Sequence, residues 1–242
     1  MNVYPNNQIE CMKLDSVPAV VKHSDIKFLY HPYLSVTADF QSNIATITGD
    51  AEISRQIYCD SIILANTNAT MANIKLVGSS GNIIFNSGPK SFGGDVLIIN
   101  LDDMAYFKSF ELTISGDKNI YLGLLYFGMK ISLPRFLVEP VQNIDLRNQA
   151  SRSLGGQSYG LASKPLRSFS AQFMRVIKDD MKTIDNYAEQ VQTVVPHFID
   201  PYPEAHQSVK PFYATLQNGY DYTKRNENNF FYDFSLSWME AK

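Results

Sequence analysis

The residues best suited to bind a metal or move a proton in this 242-residue chain are four histidines, His23, His31, His197 and His206, and two cysteines, Cys11 and Cys59. Their spacing assembles no site. No two histidines stand at i, i+4 on a helical pattern, and no cysteine joins them at ligand spacing. His197, Asp200, Glu204 and His206 fall close together, a set chemically suited to a divalent metal. Pro201 and Pro203 make that stretch a loop whose polar side chains are simply solvated, and this second reading is preferred. Ser153, followed by Gly155 and Gly156, lacks the preceding glycine of a nucleophile elbow. Gly78–Gly81 is a turn, not a phosphate cradle. The acidic pairs Asp102–Asp103 and Asp179–Asp180 read as a loop and as the N-cap region of a helix. Cys59 heads an apolar run and reads as a small buried hydrophobe, with a Cys11–Cys59 disulfide as the alternative. The expectation is a protein that is not an enzyme and that uses no metal or cofactor.

The chain is instead rich in aromatic rings, with 14 tyrosines and 15 phenylalanines. Rings at alternating positions belong to a core by default. Tyr30, Tyr33, Tyr58 and Tyr202 fall off any such pattern and are free to form a sugar-stacking surface or a protein interface, with the interface favoured. Tyr220 and Tyr222 lie beside Gly219 in a loop, 216–225, that would project toward a neighbour. With the polar turn at 66–70, the candidate glycan or interface patch is Tyr30, Tyr33, Asn66, Asn68, Tyr202, Tyr220 and Tyr222. A net charge of -3 and a pI of about 5.8 leave no basic field for a nucleic-acid backbone. No apolar run approaches the roughly 20 residues of a membrane helix. The first residues lack the basic and then apolar regions of a signal peptide, so synthesis and folding in the cytoplasm are expected.

The elements that must carry these residues are mostly strands. Residues 109–115 alternate without error: Phe110, Leu112 and Ile114 point one way, Ser109, Glu111, Thr113 and Ser115 the other. Residues 119–128 are apolar on both faces, as in a strand covered on both sides. Gly116–Asp117 offers a tight turn between them, so the pair reads as the central hairpin of a β-sandwich. Further strands are expected near 44–48 (closed by Gly49–Asp50), 59–65, 73–77, 82–85, 95–100 and 130–133. Strands recurring about every ten residues mean a sandwich or barrel. Residues 1–24 read as an irregular arm and 25–135 as the sandwich. Residues 136–165 read as a linker with the first strands of a second domain, with the boundary near 136–145. Residues 166–242 read as a small α+β domain. Its one helix is expected over 178–192, with Met181, Ile184, Ala188 and Val191 on one apolar stripe.

Two stretches support a family comparison. Asp60–Asn68 followed by Ala72–Leu76, and Tyr106–Ser115 with Ile120–Pro134, resemble the discoidin-like (galactose-binding-like) jelly roll of bacteriophage virion proteins. Phe107 stands where that pattern often has tryptophan. In the second half, Ser153–Tyr159, a strand, a helix, Lys210–Tyr213 and a terminal strand ending Trp238-Met239-Glu240 are similar to the tail-tube-like split-barrel domain of distal-tail and tail-tip proteins. The resemblance implies a structural component of a phage tail tip or baseplate, resident in the virion. The α+β domain would form a ring, hexameric or trimeric, with other tail proteins as partners, and the jelly roll would decorate the outside. The alternative is a carbohydrate-binding module that recognises a bacterial surface glycan through the jelly-roll loops.

Overall fold

The computed structural model describes residues 1–52, 55–135, 141–145, 149–152, 158–161, 166–203, 210–217, 223–226 and 229–241. The protein is mainly β and divides into two compact units. One is Tyr4–Lys130; the other combines Met1–Val3 with Ile131–Ala241. The first strands are β1 (Asn2–Tyr4) and β2 (Met12–Val17), in a stretch that the sequence reads as an irregular arm. Both are short, β1 lying between β12 and β17 and β2 at the edge of its sheet, and Pro5 falls between them, which hides their periodicity. There follow β3 (Ala38–Asp39), β4 (Ile44–Ala51), β5 (Ile57–Thr67), β6 (Met71–Val77), β7 (Ile83–Asn86), β8 (Lys90–Ser91), β9 (Val96–Phe107), β10 (Ser109–Ser115) and β11 (Tyr121–Gly128).

Strands β2 to β11 form a two-sheet antiparallel sandwich. One sheet runs β2-β4-β10-β6-β7, with β8 beside β6; the other runs β3-β11-β5-β9. From β4 to β11 the chain passes back and forth between the sheets, the connectivity of a jelly roll. The expected hairpin of residues 109–128 is corrected here. β10 pairs with β4 and β6, whereas β11 pairs with β3 and β5 in the opposite sheet. Alternation fixes a strand but not its partner, and the 116–120 segment crosses the end of the sandwich rather than turning back. The approach at Gly116 is close: a Cβ there would lie 3.2 Å from the Asn68 carbonyl oxygen.

The faces follow the expected alternation. Phe110, Leu112 and Ile114 are buried with Ile47, Ile74, Ile62, Leu64, Leu122 and Leu125 between the sheets. Phe127 packs on Phe107 and Phe110, with centroids 5.3 and 4.7 Å away. Gly49, expected to close its strand, lies inside β4 opposite Phe110, where the missing side chain gives the Phe110 ring its place. Asp102 and Asp103, read as a connection, lie within β9. Four β9 residues, 101–104, stand against one on β5 between the pairs Cys59–Ala105 and Ser61–Asn100.

The second unit contains β12 (Ile131–Ser132), β13 (Val141–Asp145), β14 (Gln149–Arg152), β15 (Ser158–Leu161), β16 (Leu166–Ile177), α1 (Lys178–Val191), β17 (His197–Asp200), β18 (Phe212–Leu216), β19 (Thr223–Asn226) and β20 (Asn229–Glu240). Its main sheet runs β12-β1-β17-β18-β20-β16-β13, with β19 against β20; β14 and β15 form a separate two-stranded sheet. β12, expected to end the sandwich series, pairs with β1. The helix N-cap is Ile177 with no side-chain cap, and Asp179 and Asp180 occupy the first turn, where negative charge suits the dipole. Its buried stripe is Met181, Ile184, Tyr187 and Val191. Phe173 and Phe234 stack at 4.7 Å beneath it, and Phe169 meets Trp238 at 5.7 Å.

Candidate functional site

The site with the most recognition chemistry lies at one end of the sandwich's four-stranded sheet. Asp39 on β3 is the cross-strand partner of Tyr121 on β11, so their side chains share a face. Their neighbours Ala38 and Leu122 are fully buried in the core, which places Asp39 and Tyr121 on the outward face. Asn68, just past β5, completes the row. Its Oδ1 accepts the Tyr121 amide at 2.9 Å and its Nδ2 donates to the Asn119 carbonyl at 2.8 Å. Thr67 Oγ1 donates to the Tyr121 carbonyl at 2.6 Å. Tyr121 is thus held through both backbone groups while its ring stays partly exposed.

A strap crosses this face one step further in. Gly123 on β11 has no side chain, and a Cβ there would lie 2.8 Å from the Leu34 carbonyl oxygen and 2.9 Å from Asn66. The Asn66 amide donates to that same carbonyl, and Asn66 sits at φ +51°, a conformation that asparagine tolerates. Tyr33, just before the pinned residue, is 55% exposed, against 37% for Tyr121. Its amide donates to His31 Nδ1 at 3.3 Å and its ring lies 5.5 Å from the imidazole. At the other edge, Thr37 Oγ1 donates to Asp39 Oδ1 at 2.7 Å, and Ser24 Oγ accepts the Asp39 amide at 3.0 Å.

Of the seven candidate residues, the fold brings Tyr33, Asn66 and Asn68 together here. The two asparagines spend their amides on backbone and act as braces. Tyr30 closes the 3-10 turn Ile26–Tyr30 and packs on the sandwich core. Tyr202 belongs to the other unit and packs against its core. Tyr220 and Tyr222 lie outside the described residues. Sequence reasoning missed Asp39, Tyr121 and Gly123. The available signal was Gly123 itself: a glycine inside an otherwise apolar strand marks a close backbone approach.

The buried groups His197, Tyr187 and Cys59 are structural. His197, considered as a metal ligand, is buried in the second unit's core. Trp238 Nε1 donates to Tyr187 Oη at 2.8 Å, Tyr187 Oη lies 2.6 Å from His197 Nε2, and His197 Nδ1 lies 2.9 Å from the Val195 carbonyl. A carbonyl can only accept, so Nδ1 carries the proton and Nε2 accepts from Tyr187. Burial lowers the imidazole to about 4, and the Val195 bond opposes that only in part. Burial likewise raises the Tyr187 phenol. Glu204 and His206 lie outside the described residues. Among the described residues, no cluster of three metal-binding side chains exists. Cys11 and Cys59 are free thiols, and burial, then the nearby Asp60 charge, pushes Cys59 up to about 12.

No family model matches the chain, and no curated protein matches it. Solved structures with a related outline exist. A Ruminococcus gnavus GH29 fucosidase in complex with fucose is 8% identical with a TM-score of 0.44, over 52% of this chain and 27% of that one. The module CpGH89CBM32-5 from Clostridium perfringens, in complex with GalNAc-β-1,3-galactose, is 11% identical with a TM-score of 0.42, over 52% and 99%. A CBM32-1 module from a family 31 glycoside hydrolase of the same organism is 12% identical with a TM-score of 0.39, over 51% and 98%. The match thus spans about a quarter of the fucosidase. Likenesses this distant decide neither a ligand nor an activity.

Proposed function

We propose that the Tyr4–Lys130 sandwich is a carbohydrate-binding module that takes a bacterial surface glycan at the Asp39–Tyr121–Asn68 row under the Tyr33 strap. One observation carries this reading: two tyrosine rings stay exposed while the asparagines beside them are committed to holding their backbone. A site built this way loses little conformational freedom when a ligand stacks on it. Sugar rings present apolar C–H faces to aromatic rings and hydroxyls to a carboxylate, and Tyr121 with Asp39 offers both. The test is a glycan array followed by calorimetry. Tyr121→Ala is expected to weaken the best array ligand tenfold or more and Tyr33→Ala to weaken it severalfold. Tyr33→Ala should not shift stability by more than about 0.5 kcal/mol, because that residue is 55% exposed, and thermal melting of Tyr121→Ala, at a residue 37% exposed, separates lost binding from lost packing. Full affinity in both variants would reject the site.

A second reading concerns the other unit. There β14 and β15 form a hairpin outside the main sheet, and β13 ends that sheet with Ile144 61% exposed. Open strand edges invite pairing with another chain. This supports self-assembly, and a ring in a phage tail tip is the particular form that the sequence resemblance implies, with virion location and tail-protein partners following from it. Native mass spectrometry decides: a closed oligomer favours it, and a monomer at high concentration removes it. The two readings are compatible, since they use different units.

A further inference from the structure

Resting on the glycan reading, we infer that the preferred sugar carries a free amino group: the rim selects a cationic hexosamine over its neutral or acylated counterpart. The geometry lies in the Asp39–Tyr121 pair. Asp39 Oδ1 is already used by Thr37, while among the described residues no cation stands within ion-pair distance of Asp39 and no donor reaches Oδ2. The carboxylate is half-buried and its backbone is tied to Ser24, so it is held in place. Its cross-strand neighbour is an exposed aromatic ring on the same face.

A carboxylate beside a ring face accepts the hydroxyls of a neutral sugar but leaves its charge unbalanced, and it repels an acidic sugar. An ammonium group meets both features. It donates a charge-assisted hydrogen bond to Oδ2, and the ring's negative face attracts it. A hydroxyl also finds a charged acceptor there, but it brings no positive charge to balance the carboxylate and gains nothing from the ring's negative face. A carboxylated sugar would set like charges together. The added ion pair at a half-exposed rim, with the ammonium against an exposed ring, corresponds to about fivefold in affinity.

The experiment compares two tetramers with the same β-1,4-linked backbone, glucosamine and N-acetylglucosamine, titrated calorimetrically at pH 6 into the full chain. The glucosamine tetramer is expected to bind about fivefold more tightly, with the preference shrinking as salt is added. Asp39→Asn keeps an acceptor for Thr37 and should bring the two tetramers within about twofold of each other. Tyr121→Ala should weaken both. Thermal melting of each variant confirms that it is folded. Equal binding of the tetramers by the wild type, or an unchanged ratio in Asp39→Asn, overturns the amine preference and leaves the glycan reading standing. If neither tetramer nor any array sugar binds, both fall.

Discussion

Asn68 and Gly49 show how single residues fix this structure. Asn68 joins the end of β5 to the start of β11 through both ends of its amide. Asn68→Ala is expected to cost about 1–3 kcal/mol in denaturant unfolding, since two backbone groups lose their partner. It should also weaken sugar binding by releasing Tyr121. A merely structural brace would show the first effect without the second. At Gly49 a Cβ would meet the Phe110 ring and come within 3.0 Å of Leu14. Gly49→Ala should therefore destabilise by about 1–3 kcal/mol, and less in a Phe110→Leu background where the ring is gone. Cys59 supplies a third check. Buried and held as a thiol, it should resist a disulfide reagent in the native protein and react only on unfolding, whereas the half-buried Cys11 should label faster.

At the level of elements, alternation made most strands legible. Residues 109–115 and 73–77 were readable because one face of each meets the core and the other meets solvent. What alternation could not supply was pairing. β10 and β11 follow one another in sequence yet sit in different sheets, since hydrogen-bond partners are set by the whole sandwich. The glycan rim was half legible for the same reason. Tyr33, Asn66 and Asn68 stood out as off-pattern or polar. Tyr121 looked like one more strand aromatic, and Asp39 joins it only through the β3–β11 register. The helix offers a parallel case: Ala188 fits the apolar stripe, but Tyr187 is the fully buried member, because its hydroxyl has His197 and Trp238 to satisfy it. Tyr187→Phe should cost about 1–3 kcal/mol by leaving a buried ring nitrogen on each side without its partner.

At the scale of the whole molecule, acid should act unevenly. His197 titrates near 4 when folded and near 6.5 when unfolded, so the unfolded state binds the extra proton between those values. Its contribution to stability is therefore fully present above about pH 6.5 and is lost as pH falls toward 4, roughly 3 kcal/mol in all. The loss belongs to the unit that holds His197. Trp238, the chain's one tryptophan, bonds to the same network and reports on that unit. Unfolding followed by tryptophan fluorescence should shift to lower denaturant between pH 7 and 4.5. His197→Gln, which still offers an acceptor to Tyr187, should flatten that dependence. An equal acid shift in that variant would place the effect elsewhere.

β1 has a consequence for synthesis. Asn2 and Val3 pair with Ser132 and Ile131, and Ser132 Oγ donates to Asn2 Oδ1 across 130 positions of sequence. The first strand of the second unit therefore leaves the ribosome long before its partners, a wait of roughly ten seconds at ordinary elongation rates. The sandwich is complete once β11 has emerged, just ahead of β12, and it can fold while β16 to β20 are still being made. Closing a free loop of this length costs about 4 kcal/mol of chain entropy, and a sandwich already folded has met that cost before the rest of β1's sheet emerges. The order of translation thus lets the first unit act as a tether that delivers β1 to its sheet. A circularly permuted chain that moves residues 1–3 to follow residue 241 should separate the folding rates of the two units.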